Sequence, residues 1–148
     1  RKEAKDYIDS YLGHYQGVKR YMKSVVEDAR EEGFVETMYG RRRNLPELHS
    51  SNFNIRSGAE RMALNTPIQG TAADIIKIAM IRVHYRMKKE GLEARLVLQV
   101  HDELIVECPE QEAELVMQLV TEEMEAAADL KVPLVAEAHM GKSWFEAK

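Results

Sequence analysis

Two acidic side chains stand at the junction between two apolar stretches of the chain. Residues 96–100 and 104–106 contain the aliphatic and β-branched side chains that favour strands, and His101, Asp102 and Glu103 separate them. The junction has neither the glycine nor the asparagine that a tight hairpin turn favours. Mg²⁺ takes one or two carboxylates together with phosphate oxygens and water. We therefore predict that the junction binds a metal ion.

Metal ions at such a junction indicate phosphoryl chemistry. Adjacent acids on a regular strand point to opposite faces, but at a corner both can project towards one apex. Two bound ions can activate an attacking hydroxyl and stabilise a leaving phosphate oxygen. The simpler alternative is a solvent-exposed acidic turn without a ligand. Zinc at His101 is disfavoured because neither a helically spaced partner nor a cysteine cluster accompanies it.

A second polar pattern precedes the junction. Arg61, Asn65 and Gln69 recur at intervals of four, which places them on one face of a helix. These side chains donate hydrogen bonds to the acceptors of a DNA minor groove, which lie similarly in every Watson–Crick pair. The pattern predicts a surface that senses pair geometry in any sequence. An exposed polar face without a partner is the alternative, and Pro67 weakens the assumption of unbroken helical phase.

Charge is distributed unevenly along the chain. Residues 1–43 carry 10 Lys and Arg against 8 Asp and Glu, residues 44–99 carry 8 against 5, and residues 100–148 carry 3 against 12. The overall net charge of −4 therefore hides a positive first two thirds and an acidic last third. A polyanion should meet the earlier part. Arg41, Arg42 and Arg43 form its densest positive spot, although a solvated turn is the alternative for so short a run.

The apolar spacing predicts the elements that position these residues. Two helices are expected before Gly33, followed by a short strand or ribbon over residues 33–40 that leads into the arginines. Capping-box spacing predicts helix starts at Ser57 and Thr71, with an interruption near Pro67. A strand pair around the acidic junction, a helix over 110–128 and a last strand over 132–140 complete the α+β pattern.

Length and composition limit the class of protein. The 148 residues, 45% hydrophobic and 31% charged, fit one globular domain or part of a larger one. The sequence has no apolar run long enough to span a bilayer. The single cysteine, Cys108, excludes an internal disulfide, so we expect a reducing, cytoplasmic setting and no membrane partner.

Three segments together resemble a known family. Residues 33–43 (GFVETMYGRRR), 61–74 (RMALNTPIQGTAAD) and 98–103 (LQVHDE) are similar, in this order, to the C-terminal part of bacterial family A DNA polymerases of the DNA polymerase I type. The resemblance covers essentially the whole chain. It implies an α+β fold in which residues 1–48 end the helical fingers subdomain. Residues 49–148 would form the C-terminal part of the palm, an antiparallel sheet packed with helices.

The resemblance also implies roles for the polar residues. Asp102 would bind the catalytic metals, and Glu103 would be an auxiliary acid beside it. Contacts to the primer-template duplex would come from the minor-groove stripe, the residues beside the primer terminus and the arginine run: Arg61, Asn65, Gln69, Gln99, His101, Arg41, Arg42 and Arg43. The implied reaction is nucleotidyl transfer from a dNTP to a primer 3′-hydroxyl, as in DNA replication and repair.

The same resemblance implies that the site is shared with other segments. The family's second catalytic aspartate and its nucleotide-gripping fingers helix precede the region that matches here. We therefore expect a two-metal Mg²⁺ site completed by an aspartate outside this chain, and a chain that is inactive alone. The alternatives are a non-catalytic duplex-binding or complementing fragment that needs a companion chain, and a metal-dependent phosphohydrolase that uses the same acidic junction.

Overall fold

The first half of the described chain is built from two helices, a short ribbon and a third helix. In the computed structural model, which describes residues 2–147, helix α1 spans Lys2–His14 and helix α2 spans Gln16–Glu32. Gly33, with φ of 83°, ends α2 in the left-handed conformation that glycine adopts without steric cost. The two helices expected before Gly33 are confirmed.

The ribbon that follows contains the arginine run. Strands β1 (Phe34–Glu36) and β2 (Arg42–Asn44) pair antiparallel, with Val35 opposite Arg43. A 3₁₀ turn over Pro46–His49 then leads towards the next helix. Arg42 and Arg43 therefore lie on a strand and Arg41 directly precedes it, and all three residues are exposed.

Helix α3 begins earlier than the capping-box spacing predicts. It spans Phe53–Asn65, and the Asn52 side chain accepts hydrogen bonds from the backbone N–H groups of Asn54 and Ile55. The predicted start at Ser57 is wrong, because the asparagine already caps the helix and leaves Ser57 inside it. The interruption expected near Pro67 takes the form of one π-helical turn, Thr66–Gly70.

The second half consists of two helices and one hairpin. Helix α4 spans Thr71–Glu90, strands β3 (Arg95–Val100) and β4 (Glu103–Glu107) pair antiparallel, and helix α5 spans Ala113–Glu125 after a 3₁₀ turn. A register shift between Leu96 and Leu98 marks a β-bulge in β3. The strand pair around the acidic junction is confirmed.

The last predicted strand is wrong. Residues 132–140 form no ladder with any described strand. Pro133 lacks a backbone donor, and the N–H of Ala136 donates instead to the Glu125 carboxylate at 3.2 Å. Its residues alternate between exposed and half-buried, as in an extended chain, but they pair with no described strand.

The chain divides into two compact units, residues 1–71 and 72–148, each with its own core. The first core packs α2 and α3 around the residues that follow the ribbon, and its buried members are Ala29, Val35, Leu45, Leu48, Ala59 and Ala63. The second packs α4 and α5 with the hairpin, and its buried members are Val83, Met87, Ala94, Val116, Leu119 and Val120. Over residues 2–147, no helix is both long and apolar enough to cross a membrane.

Candidate nucleic-acid interface and acidic turn

A groove in the first unit gathers five of the predicted site residues. Its volume is about 400 Å³, and it lies between the arginine segment and the π turn. The residues that line it are Arg41, Arg42, Arg43, Met62, Asn65, Thr66, Gln69 and Gly70. Three guanidinium groups and two amides therefore share one concave surface. Guanidinium groups can donate to phosphate oxygens, and amides can donate to acceptors on base edges.

The three arginines of the groove make different contacts. Arg42 donates to the Glu36 carboxylate at 2.6 Å and lies 4.3 Å from the centre of the Phe34 ring. Arg43 donates to the sulfur of Met62 at 3.2 Å, a weak acceptor. Arg41 donates to the backbone carbonyl of Gly70 at 3.0 Å. Arg42 is thus tied to its own ribbon, whereas Arg41 is joined to the π turn.

The amides of the groove come from the end of α3 and from the π turn. Asn65 and Gln69 are both exposed. Arg61 is also exposed, but it lies one turn earlier on α3, outside the groove, and donates to the Ser57 hydroxyl at 3.3 Å. The predicted stripe is therefore divided, with two of its three members facing the arginines.

The acidic junction of the second unit is a tight two-residue turn. Val100 pairs with Glu103, so His101 and Asp102 form the whole connection between β3 and β4. His101 has φ of 53°, the only positive φ of a non-glycine residue in the described chain. The Gln99 side chain donates to the His101 carbonyl at 2.6 Å, which holds the turn from within. A turn that lacks glycine is thus made by a strained histidine.

The carboxylates at this junction point to solvent. Asp102 and Glu103 are both exposed, so each offers oxygen atoms of the kind that a hard divalent cation prefers. Among residues 2–147, no group of three or more His, Cys, Asp and Glu side chains lies close enough to hold a metal ion. The donor set fits one or two ligands of a Mg²⁺ shell.

A charged network joins the two helices of the second unit. Arg82 donates to Glu123 at 2.7 Å, and Arg86 donates to Glu122 at 2.8 Å and to Glu123 at 3.1 Å. The hydrogen bond from Arg82 is the main reason that the pKa of Glu123 is lowered. The pKa of Glu122 is lowered by hydrogen bonds from Gln118 and from Arg86. This network stabilises the helix pair on which the hairpin packs.

The sequence matches a family model along nearly its entire length. The model is that of DNA polymerase family A, and it matches residues 1–146. The chain belongs to DNA polymerase family A. The predicted resemblance and the α+β class are confirmed.

Named relatives agree with this assignment to the polymerase family. Over all 148 residues the chain is 55% identical to DNA polymerase I of Bacillus caldotenax and 56% identical to DNA polymerase I of Bacillus subtilis. It spans 17% of the length of each of these relatives. A solved structure, the POL domain of Pol1 from M. smegmatis in complex with DNA primer-template and dNTP, is 50% identical. That comparison has a TM-score of 0.94 and covers 99% of this chain and 26% of the other.

The contacts of two buried threonines beside the groove were not predicted from the sequence. Thr71 was expected to cap a helix, but its hydroxyl donates to the Pro67 carbonyl and accepts from the N–H of Met38. Thr37 lies in the alternating stretch before the arginines, where nothing in its spacing distinguishes it. Only its burial and its backbone partners identify it.

Proposed function

We propose that this chain is part of a DNA-directed DNA polymerase that extends a primer on a template, as replication and repair require. Family membership supports the reaction class, and the groove that joins three arginines to two amides supports the binding of a duplex. That groove is the observation on which the proposal chiefly rests. Because the chain spans 17% of its relatives' length, the remaining polymerase segments supply the rest of the site.

The groove would hold the primer-template duplex. Guanidinium groups pair with phosphates, and amides donate to the minor-groove acceptors that all Watson–Crick pairs share. We assign phosphate contacts to Arg41 and Arg43, with a smaller contribution from Arg42. We assign base-edge contacts to Asn65 and Gln69. Arg61 would extend this contact along α3, and Gln99 and His101 would lie at the primer terminus.

The boundary between fingers and palm is also a proposal. We assign residues 1–48 to the end of the fingers and residues 49–148 to the C-terminal part of the palm. The palm assignment is supported by the antiparallel hairpin packed on α4 and α5. The single cysteine supports a reducing, cytoplasmic setting for the polymerase.

The acidic turn would form this chain's share of a Mg²⁺ site. Asp102 would be a direct ligand, and Glu103 an auxiliary acid next to it. Other ligands would come from substrate phosphates, water and an aspartate outside this chain, which agrees with the preference of Mg²⁺ for few protein carboxylates. Bound metal supplies positive charge that favours deprotonation of an attacking hydroxyl and stabilises a leaving phosphate.

In the proposed reaction the primer 3′-hydroxyl gives up its proton to solvent, and its oxygen forms a bond to the α-phosphorus of a dNTP. The bond between that phosphorus and its bridging oxygen breaks, and pyrophosphate leaves. Asn65 and Gln69 hold the terminal pair in place, and the Asp102 carboxylate would hold Mg²⁺ beside the reacting phosphate. Catalysis then rests on positioning and on preorganised charge rather than on a covalent intermediate.

Replacement of the turn aspartate tests this assignment. In the complete polymerase that carries this segment, Asp102→Ala should lower primer extension by about a thousandfold or more without unfolding the protein. Asp129→Asn changes another exposed aspartate of the same unit and should leave extension unchanged. Extension near the wild-type rate by Asp102→Ala would contradict the metal-binding role.

One observation favours a second function for the isolated chain. The groove lies entirely within residues 1–71, so the duplex contacts proposed for its arginines and amides do not include the acidic turn. The 148-residue chain could therefore act as a duplex-binding fragment that complements a companion chain. Fluorescence anisotropy with a labelled duplex, and primer extension with and without the missing polymerase segment, separate the two functions. Extension by the chain alone would exclude the complementing role.

A further inference from the structure

The turn between β1 and β2 is tied to the π turn by one buried hydroxyl. Thr71 is 6% exposed, and its hydroxyl donates to the carbonyl of Pro67 while it accepts from the backbone N–H of Met38 at 3.0 Å. These two partners lie 29 residues apart in the sequence. One side chain therefore joins two segments that border the groove.

A second buried threonine organises the same turn. Thr37 is 6% exposed, and its hydroxyl accepts from the N–H groups of Tyr39 at 3.3 Å and Arg41 at 3.2 Å. Its backbone N–H also donates to the Arg41 carbonyl at 3.1 Å. The hydroxyl thus sets the path of the chain into the arginine run.

The methyl group of Thr37 faces the π turn at close range. A Cβ atom added to Gly70 would lie 2.7 Å from Thr37 Cγ2, closer than carbon atoms approach without a shift. Arg41 adds a hydrogen bond between the same two segments, since its side chain donates to the Gly70 carbonyl at 3.0 Å. The β1–β2 turn and the π turn therefore meet through hydrogen bonds and through direct packing.

We propose that Thr37 and Thr71 are positioning residues that hold the β1–β2 turn on the π turn and thereby set Gln69 at its place in the groove. The inference rests on the proposed contact of Gln69 with the duplex. Gln69 precedes Gly70 directly, so a shift of the π turn moves the amide. A displaced amide can no longer donate to the acceptor that correct pairs present, and discrimination between correct and incorrect pairs falls.

The matched substitutions Thr71→Val and Thr71→Ser test the role of the hydroxyl. Valine keeps the shape of the side chain but leaves the Met38 N–H and the Pro67 carbonyl without this partner, whereas serine keeps both bonds. In the complete polymerase, Thr71→Val should lower the ratio of kcat/KM for matched over mismatched primer ends by about tenfold. Thr71→Ser should restore most of that ratio.

A double-mutant cycle with Gln69→Ala separates positioning from general stability. If Thr71 acts through Gln69, Thr71→Val should change discrimination little once Gln69 is alanine. The positioning role alone would be overturned if Thr71→Val lowered discrimination equally in both backgrounds. It would also be overturned if Thr71→Val left discrimination unchanged while Gln69→Ala lowered it. A neutral Gln69→Ala would overturn the proposed duplex contact, and the positioning role with it.

Gly70→Ala provides a second variant that keeps every hydroxyl. The added methyl group must push Thr37 away from the π turn, so discrimination should fall as it does in Thr71→Val. Gly58→Ala is the matched control, because its Cβ would meet nothing closer than an Arg61 nitrogen at 4.0 Å. Wild-type discrimination in a folded Gly70→Ala protein, judged by circular dichroism, would refute the requirement for close packing.

Discussion

Arg42 and Arg43 are neighbours in the sequence, but they should contribute differently to duplex binding. Arg42 is held by the Glu36 carboxylate at 2.6 Å and by the ring of Phe34, whereas Arg43 has the weakly accepting sulfur of Met62. A guanidinium leaves a thioether for a phosphate at little cost, but it must give up an ion pair to leave a carboxylate. We expect Arg43 to be the stronger phosphate contact of the two.

The salt dependence of binding measures this difference. Each neutralised phosphate contributes about −0.9 to the slope of log affinity against log salt concentration. Arg43→Gln should remove one contact and so reduce the slope by about 0.9. When the salt concentration rises fourfold, wild-type binding should therefore weaken by a factor about 3.5 times larger than the factor for the variant. Arg42→Gln should reduce the slope by clearly less than Arg43→Gln does, and it should lower stability by about 1 kcal/mol or less, because its ion pair is exposed.

Fluorescence anisotropy of a labelled primer-template at several salt concentrations, with the complete polymerase, is the appropriate assay. Arg42→Gln is the matched control, since it removes the same charge from the adjacent position. The reasoning fails if the two variants show the same slope, or if Arg43→Gln binds with the wild-type slope.

Three further predictions concern the second unit. His101→Val should lower stability by about 1–2 kcal/mol relative to His101→Asn, because a β-branched side chain is strained at φ of 53° whereas asparagine tolerates it; urea unfolding of both variants checks this. The pKa of Glu123 lies below its ordinary value of 4.5, so its ionised form stabilises the fold above that value and the contribution is lost as the pH falls through the lowered pKa. Glu123→Gln should therefore destabilise the protein at neutral pH and differ less from wild type in acid, and equal differences at both pH values would contradict this linkage. Leu119→Ala should cost about 2–5 kcal/mol in urea unfolding because Leu119 is only 1% exposed, and a much smaller loss would show that the core closes over the cavity.

The sequence predicted elements better than it predicted their ends. Helical spacing located the helices, and alternating apolar stretches located the β3–β4 hairpin. The start of α3 was misplaced because Asn52 and Ser57 are both acceptable N-caps, and only the structure shows which side chain meets unpaired N–H groups. The strand expected over 132–140 fails for a related reason, since a strand depends on a partner that its own residues do not specify.

The candidate site was predictable where side-chain chemistry is specific. Arginines and amides at their particular spacings indicated a phosphate and base-edge surface, and the structure gathers Arg41–Arg43, Asn65 and Gln69 around one groove. Thr37 and Thr71 were not predictable, because a threonine hydroxyl serves caps, turns and buried backbone equally well. Only contacts between distant segments distinguish these uses.

The π turn changes the direction in which Gln69 follows Asn65 around the helix axis. In an α-helix, residues four apart lie about 40° apart around the axis, so Arg61, Asn65 and Gln69 would form one gently winding stripe. A π turn closes i→i+5 bonds and winds less per residue, so the step from Asn65 to Gln69 rotates back instead of forward. That reversal turns Gln69 back towards the side of Arg61, so the two differ in position along the axis and not in rotation. Gln69 lies beside Gly70, whose carbonyl accepts from Arg41, whereas Arg61 lies one turn before Asn65. Pro67, which lacks the N–H that an α-helix needs, favours this local departure from helical phase. The residue that weakened the sequence argument for the stripe is thus one that helps to shape the groove.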